Sequence, residues 1–97
     1  MKEREFQALI YEMAGVFGWQ VYHTFDSRRS HAGFPDLVLV RPPDVIFAEL
    51  KSPNGVITVE QRNWLGQLQA CPGVETYLWR PDDMDDIEER LRPSGGA

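Results

Sequence analysis

Two carboxylates and one lysine stand beside two short apolar runs. Asp36 precedes the run 37–40, and Glu49 and Lys51 follow the run 45–48. Because side chains alternate between the two faces of a strand, Glu49 and Lys51 point to the same side and Leu50 to the other. If the two runs pair as a hairpin, Asp36 lies beside Glu49. This set suits a divalent metal ion, a water molecule and a phosphodiester.

Hydrolysis of a phosphodiester requires that phosphate charge is offset, a water is deprotonated and a leaving oxygen is stabilised. Mg²⁺ helps with all three and prefers oxygen ligands, which Asp36 and Glu49 could supply. Lys51 could orient or deprotonate the attacking water. From the residues alone, the alternative is a cross-strand Glu–Lys ion pair worth under about 1 kcal/mol, with Asp36 in a turn. The motifs by themselves leave both interpretations open.

The hydrophobic periodicity predicts the elements that must position these residues. We expect helices over residues 3–17, 58–71 and 83–91, and strands over 19–25, 36–40, 45–51 and 75–80. The order is α-β-β-β-α-β followed by a short acidic helix, which we interpret as a solvated surface. One α/β domain with a mixed central sheet is expected to span 1–97, with a frayed tail over 92–97.

Charge and composition limit the class of protein. The net charge is −5, but residues 82–92 account for −4 of it, so the acidic bias does not exclude a DNA substrate. The single cysteine, Cys71, rules out an intramolecular disulfide. No stretch is typical of a signal peptide or a membrane span, and we expect a cytoplasmic protein of a bacterium or a phage-infected host cell.

The motif residues also carry a family resemblance. The chain resembles the VRR-NUC family in three places. These are the sequence Gly-Phe-Pro-Asp-Leu at 33–37, the sequence Glu-Leu-Lys-Ser at 49–52, and Gln61 at the start of the second helix. This family is a branch of the PD-(D/E)XK nuclease superfamily, and the chain is most similar to its small stand-alone members from phages and bacteria. The resemblance extends from the first helix to the last strand and implies a restriction-endonuclease-like core.

The resemblance implies a role for each residue of the motifs. Asp36 and Glu49 would be metal ligands, together with the main-chain carbonyl of Leu50, and Lys51 would be the catalytic lysine. Gln61 would help to position the metal-bound water or a phosphate. The bound ion would be Mg²⁺, with Mn²⁺ as an alternative, and no small-molecule cofactor is expected.

Two further interpretations stay open at this point. Gln61 also fits a helix capping box with Thr58, and the cap could be what positions its side chain. The superfamily often adds an acid from the first helix. Glu5 and Glu12 lie on nearly the same helix face, and we prefer Glu5 over Glu12 because of its place near the helix N-terminus.

A polar, basic loop precedes the metal motif. Its hydroxyls and guanidinium groups suit phosphate oxygens, so we expect DNA contacts from Ser27, Arg28, Arg29 and Ser30.

The resemblance and the size of the chain together predict a metal-dependent DNA endonuclease. We expect a homodimer that cuts branched DNA in the manner of a Holliday-junction resolvase. The alternatives are a non-catalytic DNA-binding or accessory module, and a nuclease subunit of a larger phage replication or packaging complex. An intact set of Asp36, Glu49 and Lys51 argues against the first alternative.

Overall fold

A computed structural model describes residues 1–24 and 31–93 of the chain. Its elements are α1 (Glu3–Val16), β1 (Gln20–His23), β2 (Leu37–Arg41), β3 (Asp44–Leu50), α2 (Val59–Gln69), β4 (Glu75–Trp79) and, after a 3-10 turn, α3 (Met84–Leu91). The predicted order of elements is confirmed, with boundaries that differ by no more than about two residues. None of the helices in the described ranges is long and apolar enough to cross a bilayer.

The four strands form one mixed sheet in the order β1-β2-β3-β4. Strands β1, β2 and β3 are antiparallel neighbours, whereas β4 pairs parallel to β3 after the crossover through α2. In the β2–β3 hairpin Leu37 lies opposite Ala48. The residue before Leu37 therefore lies beside the residue after Ala48, which places Asp36 next to Glu49.

One face of the sheet carries the hydrophobic core. Helix α1 contributes Phe6, Ile10 and Ala14, which are fully buried and spaced by four residues so that they share one helix face. Helix α3 contributes Ile87 and Leu91, also fully buried and four residues apart. The prediction that the acidic helix is only a solvated surface is therefore wrong, because its acids occupy one face while its apolar residues complete the core.

The opposite face of the sheet is covered by α2, which has no fully buried residue. Phe34 lies between this helix and the sheet. Its ring makes edge-to-face contacts with Trp64 of α2, at a centroid distance of 5.1 Å, and with Phe47 of β3, at 6.1 Å. These aromatic contacts hold the segment that carries Asp36 against α2 and β3.

Polar contacts close the other end of the sheet, where β3 and β4 begin. The Trp19 indole N–H donates to the Leu91 carbonyl at 2.8 Å. Arg90 donates to the Glu75 carboxylate, which also accepts a 2.7 Å hydrogen bond from the Tyr77 hydroxyl. The hydrogen bond from Arg90 holds the pKa of Glu75 below its ordinary value. Helix α3 is thus attached to the sheet at both its apolar face and its C-terminal turn.

Candidate active site

Asp36 is fixed by backbone groups of two neighbouring strands. Its Oδ2 accepts a 2.8 Å hydrogen bond from the Leu50 N–H at the end of β3. Its carbonyl accepts from the N–H of Thr24 at 2.9 Å, and the Thr24 hydroxyl donates to the Pro35 carbonyl at 3.0 Å. Backbone hydrogen bonds therefore hold the Asp36 main chain and one oxygen of its carboxylate in place. The role of the Leu50 carbonyl as a ligand stays a prediction.

Glu49 is the buried polar residue of the described chain, with 2% of its surface exposed. Its Oε2 accepts a 2.9 Å hydrogen bond from the Gln61 side-chain amide, and the Lys51 ammonium lies 3.9 Å from the same oxygen. Its Oε1 is buried and has no hydrogen-bond partner among the described residues. An unpaired buried carboxylate oxygen costs free energy unless another group binds it.

The electrostatics of Glu49 follow from this placement. Burial and the neighbouring Asp36 carboxylate raise the pKa of Glu49 to about 8, although Lys51 opposes the shift. A divalent cation would relieve both causes, because it offsets two adjacent negative charges and gives Oε1 a partner. The residues present therefore fit a metal ion such as Mg²⁺.

No three His, Cys, Asp or Glu side chains within residues 1–24 and 31–93 are grouped closely enough to hold a metal ion by themselves. Mg²⁺ commonly binds through one or two carboxylates and takes its remaining ligands from water and substrate phosphates. The pair Asp36 and Glu49 matches that mode of binding.

Gln61 forms the capping box that its spacing from Thr58 predicts, and its side chain also contacts Glu49. Its expected role in positioning a metal-bound water or a phosphate stays a prediction. Its backbone N–H donates to the Thr58 hydroxyl at 3.1 Å, and its side-chain oxygen accepts from the Thr58 N–H at 2.9 Å. This is a capping box at the N-terminus of α2. The amide nitrogen at the other side of the same group donates to Glu49. The cap thus orients the amide that contacts the candidate metal ligand.

Gly33 allows the motif segment to approach α2 closely. Its φ of +89° lies in the left-handed region, where every residue other than glycine has a conformational cost. A Cβ at this position would lie 2.5 Å from the Glu60 carbonyl carbon and 2.7 Å from the Gln61 nitrogen. Only a residue without a side chain fits against the first turn of α2.

A polar cavity of about 260 Å³ opens at this end of the sheet. The cavity is lined by the carboxylates of Asp36 and Glu49 and by an acid of the first helix, Glu3. The other lining residues are Thr24, His31, Gly33, Phe34 and Gln61. Lys51 lies on the same strand face as Glu49, as alternation predicts, and contacts it from outside this lining.

The acid that α1 brings to the cavity is Glu3, rather than Glu5 or Glu12. The Glu5 carboxylate accepts a 3.2 Å hydrogen bond from the Lys2 N–H at the helix N-terminus, and Glu12 lines cavities elsewhere on α1. Sequence reasoning missed Glu3. The available signal was its place three residues before Phe6, which extends the buried face of the helix by one turn.

The expected DNA-binding residues Ser27, Arg28, Arg29 and Ser30 lie outside the described residues, which exclude 25–30. Their role stays a prediction.

Comparison with known proteins adds the family context. A family model for the VRR-NUC domain matches residues 7–80, a range that contains Asp36, Glu49, Lys51 and Gln61. A solved structure described as a VRR_NUC domain protein superimposes with a TM-score of 0.67, at 18% identity, over 94% of this chain and 85% of that chain. At this identity the likeness establishes the fold, which is consistent with the restriction-endonuclease-like core. A search of curated proteins finds no significant match.

Proposed function

Because the chain belongs to the VRR-NUC domain family of nucleases, we propose that it is a metal-dependent endonuclease that hydrolyses DNA phosphodiester bonds. One observation carries the proposal above all others. The buried Glu49 has an unpaired oxygen, lies beside the Asp36 carboxylate and has a lysine 3.9 Å away. Lys51 and Gln61 both contact Oε2, so Oε1 and the adjacent Asp36 carboxylate are available to a divalent cation, which would offset the charge of both acids.

Each residue would contribute one part of the reaction. Asp36, Glu49 and the Leu50 carbonyl would hold Mg²⁺ or Mn²⁺. When bound, the ion would lower the pKa of a coordinated water and offset the phosphate charge. Lys51 would orient the attacking water or accept its proton. Gln61 holds one oxygen of Glu49 and leaves the other for the ion. We expect in-line attack without a covalent enzyme intermediate, and products with a 5′-phosphate and a 3′-hydroxyl.

The test is cleavage of four-way junction, flap, splayed-arm and linear duplex DNA with Mg²⁺ or Mn²⁺. Lys51→Ala should lower the cleavage rate by about 10²- to 10⁴-fold, the usual contribution of a positioned acid–base group. Lys2→Ala makes the same charge change at an exposed position and is the matched control. Unchanged cleavage by Lys51→Ala would refute the mechanism. An inactive wild-type chain that still binds metal would instead favour a subunit of a larger complex.

We further propose that the protein acts as a homodimer on branched DNA. A net charge of −5 supports recognition by DNA shape rather than by a large basic surface. Exposed apolar side chains on one side of α1 support self-association, since Leu9 is 43% exposed, Val16 is 78% exposed and the two lie seven residues apart.

The dimer is tested by sedimentation velocity with and without a four-way junction. Val16→Glu should dissociate the dimer, because it places a charge in the apolar surface. It should also reduce the cleavage of two strands in the same junction, which requires the two sites of a dimer. Val56 is equally exposed but lies in the turn before α2, so Val56→Glu should leave the dimer intact. A wild-type chain that stays a monomer on junction DNA would contradict the proposal.

A further inference from the structure

We propose that Arg80 is a positioning residue that holds the Lys51 side chain in place through the turn that follows it. Arg80 comes directly after β4 and is half-buried. One of its guanidinium nitrogens, Nη1, donates to the Ser52 carbonyl at 2.8 Å and to the Gly55 carbonyl at 2.7 Å. A single charged group therefore joins both ends of the turn 52–55.

The turn 52–55 lies beside the Lys51 side chain. The Gly55 N–H donates to the Ser52 carbonyl at 3.1 Å, which closes the turn. A Cβ on Gly55 would lie 3.3 Å from Cδ of Lys51, so the Gly55 backbone lies close to the aliphatic part of that side chain. Only 13% of the Lys51 side chain is exposed. The turn thus limits the directions in which the ammonium can point.

The Lys51 backbone is held separately. Its N–H donates to the Trp79 carbonyl at 3.0 Å, which continues the β3–β4 pairing by one residue. Loss of the Arg80 side chain would leave this contact in place and remove only the hydrogen bonds that join the turn 52–55 to the end of β4. Hydrogen bonds from a charged donor are stronger than neutral ones, and Nη1 carries two N–H groups, so it can donate to both carbonyls at once. Arg80 does not line the cavity, so its effect on cleavage would pass through Lys51.

The kinetic consequence rests on the role of Lys51 in the proposed cleavage reaction. Displacement of a reacting group by about 1 Å can cost up to about 100-fold in rate. Arg80→Ala should therefore lower kcat by between about tenfold and 100-fold with an unchanged KM, since only the transition state uses the orientation of Lys51. Arg80→Lys should give an intermediate rate, because an ammonium can replace part of the contact. Arg92→Ala, a surface arginine paired with Glu88, is the matched control.

A second measurement does not depend on nuclease activity. The chain has two lysines, Lys2 and Lys51, so protein labelled with ¹³C-lysine gives two ε-methylene signals, which Lys2→Arg assigns. In Arg80→Ala the Lys51 signal should move toward that of the exposed Lys2 and sharpen as the side chain gains freedom. If the wild-type chain cleaves no DNA, the proposed function fails, while this spectrum still decides the positioning role.

A folded Arg80→Ala protein with an unchanged Lys51 signal and an unchanged kcat would overturn the inference. If Arg80→Ala does not fold, Gly55→Ala perturbs the same turn from its other side while Arg80 stays in place. Its added methyl group would press on the Ser52 hydroxyl at 3.1 Å and on Lys51. The Lys51 signal should shift in this variant too, and an unchanged signal would count against the turn as the connecting element.

Discussion

Gly33→Ala tests whether the motif segment contacts α2 as closely as the structure has it. The first cost is conformational, because a φ of +89° costs an alanine about 1–2 kcal/mol. The second cost is steric. The new Cβ would lie 2.5 Å from the Glu60 carbonyl carbon, where ordinary contact begins near 3.4 Å, so about 0.9 Å must be gained by moving backbone. Overpacking of this kind costs about 1–3 kcal/mol.

The two costs add to a loss of about 2–5 kcal/mol in the free energy of unfolding. Substitutions at two other glycines distinguish the conformational cost from the steric cost. Gly73 has a φ of +81° and nothing within 4 Å of its added Cβ, so Gly73→Ala should show the conformational cost alone. Gly66 lies inside α2 with open space around it, so Gly66→Ala should stabilise by about 0.5–1 kcal/mol.

The assay is urea denaturation of the three variants and the wild type, followed by tryptophan fluorescence and analysed with a common m value. Gly33→Ala should also weaken metal binding, because movement of the first turn of α2 displaces Gln61 from Glu49. A loss for Gly33→Ala no larger than that for Gly73→Ala would show that the close contact with α2 does not exist in solution.

Three further outcomes are expected. Without metal, wild-type stability should fall as pH rises from about 5 to about 8, because Glu49 ionises near 4.5 in the unfolded chain and near 8 in the folded chain. In chelator-treated protein Glu49→Gln should lose this pH dependence, and added Mg²⁺ should raise the Tm of the wild type but not of the variant. Ile87→Ala should cost about 2–5 kcal/mol in urea denaturation because the side chain is fully buried, and a cost below that range would mean that α3 is peripheral. The lowered pKa of Glu75 stabilises the fold at neutral pH and less as pH falls, so Glu75→Gln should reduce neutral stability and flatten its loss in acid titrations.

Much of the fold could be predicted because its signals are local. The two apolar runs 37–40 and 45–48, with two prolines in the short segment 41–44 between them, define a hairpin, and the hairpin register alone brings Asp36 beside Glu49. The capping box between Thr58 and Gln61 is also a local pattern, since both partners lie within one helical turn. The prediction for the acidic helix was wrong because charge dominates its composition, whereas its contribution to the core comes from a few apolar residues, Ile87 and Leu91 with Met84 packed against the core.

The sequence by itself determined the elements, their order and the carboxylate pair, since periodicity and turn chemistry act between residues that are close in the chain. The tertiary structure alone decided three other features. Glu3 reaches the cavity because packing of Phe6 sets the rotation of α1 about its axis. Glu49 Oε1 is buried without a donor among the described residues because the packing of β3 against α2 places Gln61 and Lys51 on the other oxygen. Arg80 reaches the turn after Lys51 because parallel pairing brings the ends of β3 and β4 together. Each of these depends on contacts between distant segments, which no local pattern specifies.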